Sequence, residues 1–188
     1  MDEIRKSFHQ TLDDIRQDMV QMAALVTESI PRATEAMLQG DMATAQAIVD
    51  GDDPLDAMAI ELEELCYQQL ALQQPMATDL RAIVTAVRMI AEIERSGDLV
   101  VNIAKASRRL FGVTLSARLR GLISQMGEEA TRLFRLAIDA YVDGDEGMAA
   151  ALDDLDDRLD GLQTEFAQEI FLWHNAAGIP VQAAVPLA

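Results

Sequence analysis

Among the acidic residues that stand four positions apart in this chain are Asp52 with Asp56, Glu94 with Asp98, and Asp156 with Asp160. On a helix that spacing places both carboxylates on one side, about 5–6 Å apart at their Cβ atoms, where like charges repel. Asp52 and Asp98 lie equally far in sequence from Pro75. If the two flanking helices run antiparallel around that proline, two pairs fall at the same height and four carboxylates converge, with no lysine between them. Hard oxygen donors in that arrangement suit a multivalent cation, which removes the repulsion. The residue types leave magnesium, manganese, iron, calcium and zinc open. The plain alternative is a set of solvated acids in a chain that has 32 of them.

The elements that must hold these groups are helical. Half of the 188 residues are hydrophobic, only 4% are aromatic, and glycine and proline are scarce, several of them at places where helices would turn. The spacing predicts a first helix over 2–39, with Pro31 expected to kink or disturb it. A second helix is expected over 41–74, in which Pro54 either makes a kink or opens a new first turn. Pro75 breaks the chain, and Thr78 or Asp79 is the expected cap of a third helix reaching about residue 110. Ile83, Ala86, Ile90, Ile93, Gly97, Val100 and Ala104 form its apolar stripe at steps of three and four. Gly97 therefore lies on the buried stripe between Glu94 and Asp98. A fourth helix is expected over 116–142 and a fifth from the Asp-Gly-Asp turn to about residue 173, with the start of a sixth after Pro180.

The chain also repeats itself. Gly40-Asp41 recurs as Gly144-Asp145, and at the same offset Ala36 matches Ala140 and Ala45 matches Ala149. Asp52, Leu55 and Asp56 match Asp156, Leu159 and Asp160. This is a duplicated three-helix unit. The expected fold is all-α, a tandem pair of antiparallel three-helix bundles over 1–112 and 113–188. The third helix of the second bundle is largely missing, so the natural chain is expected to be longer.

A net charge of −17 argues against a nucleic-acid partner, because phosphates would be repelled over most of the surface. Cations or basic protein patches fit better. The single cysteine, Cys66, falls on an apolar repeat and is expected to be a buried thiol. No signal peptide opens the chain and no apolar run approaches the ~18 residues of a membrane span, so a cytoplasmic protein is expected. Enzyme chemistries find little support: His9 and His174 lack the glutamate three residues earlier that a ferritin-like di-metal site needs. There is no nucleophile elbow and no glycine-rich phosphate loop.

Residues 73–81, Gln-Gln-Pro-Met-Ala-Thr-Asp-Leu-Arg, and 94–98, Glu-Arg-Ser-Gly-Asp, followed by Asn102-Ile103, resemble the PhoU family of bacterial phosphate-signalling proteins. Ser96 stands where the family has isoleucine, which leaves the carboxylates intact. The resemblance implies tandem three-helix bundles that bind multinuclear iron or zinc clusters through paired acidic motifs. It places Asp52, Asp56, Glu94 and Asp98 in a first site, and Asp156 with Asp160 in half of a second. It further implies a homodimeric, non-enzymatic negative regulator that contacts the phosphate ABC importer, through its ATPase subunit, and a membrane sensor kinase. A membrane would then be reached only through partners. The competing readings are a carboxylate-bridged metal enzyme of ferritin-like type and a purely structural helical interaction protein.

Overall fold

In a computed structural model the backbone of residues 2–177 and the side chains of 6–172 are described. The fold is all-α. Among the described residues six helices follow one another: α1 (Asp2–Gln39), α2 (Met42–Asp50), α3 (Asp53–Gln73), α4 (Thr78–Arg109), α5 (Ala117–Asp143) and α6 (Glu146–Ala177). The continuous helix expected over 41–74 is in fact two. Pro54 occupies the first turn of α3, where its missing N–H costs nothing, and the chain breaks just before it. By contrast, α1 runs unbroken through Pro31, whose ring is exposed. Neither Thr78 nor Asp79 precedes the third long helix as a cap, since both lie inside α4. Likewise α6 continues to Ala177, past the expected stop near residue 173. The sixth helix expected after Pro180 lies outside the described residues.

The duplication is visible in the turns. Gly40 and Gly144 both take a left-handed conformation (φ 69° and 64°) that closes a long helix. The amide of Asp41 donates to the carbonyl of Ala36, and that of Asp145 to Ala140, each at 2.9 Å. Each aspartate then caps the next helix: Asp41 Oδ1 accepts from the amides of Ala43 and Thr44, and Asp145 Oδ1 from that of Met148. The residues that match in sequence therefore perform the same bonds.

The chain forms two compact units, Met1–Val26 with Gly51–Asp98, and Thr27–Asp50 with Leu99–Ala188. The division runs through α1 and α4, each of which contributes to both units. In the first, Ile15, Met19 and Met22 of α1, Leu62 and Cys66 of α3, and Ile83, Ile90 and Ile93 of α4 are buried. Cys66 has no exposure, and burial pushes its thiol up to about 11, so it is a core residue rather than a nucleophile. In the second unit, Leu115, Leu119, Leu122 and Ile123 pack with Leu162, Phe166 and Ile170, and Met37 of α1 flanks them. Ser116 caps α5 by accepting from the amide of Leu119 at 3.1 Å.

Candidate cation site

The first unit gathers the carboxylates. Residues 74–77 reverse the chain between α3 and α4, and Leu55 in the first turn of α3 lies against Gly97 late in α4. The contact is so close that a Cβ built on Gly97 would overlap Leu55 Cδ2. Leu55 stands between Asp52 and Asp56, and Gly97 between Glu94 and Asp98. One apolar contact thus fixes both acidic pairs at one height, as their equal distance from Pro75 predicts. Glycine is needed there for close approach, despite a cost of ~1 kcal/mol in helix propensity relative to alanine.

Asp52, Asp56 and Glu94 are half-buried and Asp98 is exposed. Glu94 holds its proton above the ordinary carboxylate range. Burial is the first cause, followed by the negative charges of Asp98, Asp56, Asp52 and Glu63. Four of these residues were read from the sequence. Glu63 was not, and it adds a fifth carboxylate from the side of α3 that carries Asp52 and Asp56. Among the described residues, no three His, Cys, Asp or Glu side chains already stand close enough together to hold a metal ion. The donor set nevertheless fits a hard cation by its chemistry: the four charges that raise Glu94 are all carboxylates. Asp52, Asp56, Glu94 and Asp98, with Glu63, are the residues that would hold it, after side-chain rotation.

The second pair is differently placed. Asp156 and Asp160 belong to the second unit, where both are exposed on α6. The carboxylate that is buried there is Glu129 of α5, at 4% exposure. The Arg132 guanidinium hydrogen-bonded to it holds it below the usual carboxylate range, and Arg158 of α6 approaches its other oxygen at 3.5 Å. It pins α5 to α6 rather than waiting for a ligand.

Comparison with known proteins sets this arrangement in a family. A family model described as the PhoU domain matches residues 19–107 and again residues 123–182. The chain belongs to the PhoU family. The two matches begin at the same spacing that separates the two Gly-Asp turns, so the family unit and the internal repeat coincide. The chain is 32% identical over 160 residues to phosphate-specific transport system accessory protein PhoU homolog 2 of Mycobacterium tuberculosis, covering 85% of this chain and 75% of that one. It is 31% identical over 185 residues to PhoU homolog 1 of the same organism, covering 97% and 84%. In fold it is similar to the crystal structure of PhoU from Pseudomonas aeruginosa, with a TM-score of 0.89 at 24% identity over 96% of this chain and 86% of that one. A second likeness, to the phosphate transport system regulatory protein PhoU from Streptococcus pneumoniae, has a TM-score of 0.85 at 23% identity, covering 95% and 84%.

Proposed function

We propose that this chain is a phosphate-responsive regulatory adaptor that restrains phosphate import and the phosphate-starvation response. The observation that carries the reading is the tandem match to the PhoU domain, in a chain about 31% identical to accessory proteins of phosphate-specific transport systems. Its action is by contact, on the importer's ATPase subunit and on a sensor kinase, and it involves no catalysis. The cluster contains carboxylates without an imidazole or a thiolate, a composition that supplies hard oxygen donors for a cation.

Asp52 just before α3, Asp56 and Glu63 on α3, and Glu94 and Asp98 on α4 are read as one cation site. A bound cation would supply positive charge where the helices bring like charges together. Oxygen-only ligation favours iron, manganese or magnesium over zinc, which prefers nitrogen and sulfur. The chain's own contribution is the Leu55–Gly97 contact, which holds the two sets of donors level.

The test is direct binding of the purified chain to the importer's ATPase subunit by calorimetry, with and without manganese or iron. Saturable binding is expected, weakened at least tenfold by Glu94→Ala/Asp98→Ala. No binding under either condition, to the ATPase subunit or to the kinase's cytoplasmic region, would remove the adaptor reading.

A further inference from the structure

The turn that joins α3 to α4 lies in a stretch poor in acids. From Leu65 to Ala91 the sequence carries one acid, Asp79, against Arg81 and Arg88, whereas the whole chain stands at −17. At this acid-poor end of the first unit several large apolar side chains face water. Met76 at the tip is 80% exposed and Tyr67 on α3 is 53% exposed, with Leu80 and Val84 of α4 also exposed. Leu80, Val84 and Arg88 follow at steps of four along α4, and Arg81 lies seven residues before Arg88, so these groups share its outer side. Tyr67 and Val84 lie almost equally far from the Leu55–Gly97 contact, which sets them level across the antiparallel pair. Both arginines are exposed, and neither makes an ion pair among the described residues. The turn itself is strained: Gln74 and Ala77 hold left-handed conformations (φ 46° and 50°) around Pro75 and Met76.

We infer that this hairpin end is a docking face for an amphipathic helix of a partner protein, one whose apolar side is bordered by acids seven residues apart. The apolar row takes the partner's hydrophobic side chains. Arg81 and Arg88, two helical turns apart and about 10.5 Å along the axis, take its carboxylates, for which a planar guanidinium is suited. Charge chooses this occupant over others. An anionic membrane would be repelled by the remainder of a −17 chain. A second copy docked symmetrically would set the same arginines against each other. The inference rests on the adaptor reading only in that an adaptor has a partner; the face itself is read from exposure and charge.

The probe is a labelled synthetic helix with leucines at i, i+3, i+4 and i+7 and glutamates flanking them seven apart, titrated with the full chain by fluorescence anisotropy. Saturable binding at least tenfold tighter than to a scrambled peptide is expected. Arg81→Glu/Arg88→Glu should lower it tenfold or more while keeping the same circular-dichroism melting curve. A peptide with lysines in place of the glutamates should restore binding to that variant. Met76→Ser/Leu80→Ser should weaken binding of both peptides. Equal binding of designed and scrambled peptides, or indifference to the arginine reversal, would overturn the inference. So would concentration-dependent dimerisation, or sedimentation with phosphatidylglycerol vesicles, that Met76→Ser/Leu80→Ser abolishes. Peptide binding reads this face alone, whereas binding to the ATPase subunit reads the adaptor role, so the two can fail separately.

Discussion

At the scale of single residues, the site depends on one missing methyl group. Alanine at 97 improves helix propensity by ~1 kcal/mol, but its Cβ would enter the space of Leu55 Cδ2, and overpacking of this kind costs about 1–3 kcal/mol. Gly97→Ala is therefore expected to lower the melting temperature and weaken cation binding; a raised melting temperature would show that the contact relaxes freely. Glu94 gives a pH signature. Its folded-state pKa is raised above the ordinary 4.5, so its contribution to stability is fully present below that pH and is lost as pH rises through the higher folded value. Without cations, Glu94→Gln should be more resistant to urea than the natural chain at pH 7, with the advantage disappearing near pH 4. Manganese should narrow the gap at pH 7 by stabilising the natural chain. The paired acids and Gly97 were legible because each sits at helical spacing from a partner. Glu63 was not, because no acid lies four residues to either side of it and only the fold brings Glu94 within reach. Glu129 pairs with Arg132 three residues on, a spacing the sequence shows, but its burial and the approach of Arg158 on α6 come only from the fold.

At the scale of elements, prolines and turns carried most of the readable information, and their effects depended on position. Pro54 breaks the chain because a helix start accommodates it, whereas Pro31 sits in the interior of α1 without interrupting it. An interior proline costs ~3 kcal/mol, part of which is offset by the reduced freedom of the unfolded chain. Pro31→Ala is thus expected to raise stability by about 2 kcal/mol, measured by urea denaturation; no change would mean that α1 has already absorbed the distortion. The start of α4 was misread because Thr78 and Asp79 are favourable capping residues. The left-handed Ala77 delivers the chain straight into the helix instead, and no sequence rule marks an alanine for that conformation.

At the scale of the whole molecule, duplication was the most informative feature of the sequence. It foretold the two Gly-Asp turns and the two stretches that fit the PhoU domain, while the matching aspartate caps emerged from the fold. It did not foretell that compactness would divide α1 and α4 between two units, because contact along a 38-residue helix is decided by what packs on each half of it. The repeat also leaves the two acidic pairs in unlike surroundings: one converges with further carboxylates, the other lies exposed on α6. Cation binding is therefore expected to depend strongly on Glu94 and Asp98 and weakly on Asp156 and Asp160. Elemental analysis of Glu94→Ala/Asp98→Ala beside Asp156→Ala/Asp160→Ala checks this, and equal loss of metal from both would contradict it. Restraint of phosphate import and of the starvation response can be measured in the cell. Alkaline phosphatase should be measured in phosphate-replete cells lacking the gene, with and without the intact chain restored. High activity on deletion, returned to the basal level by restoration, is the expected result. Activity that stays basal on deletion would show that the chain does not restrain the response.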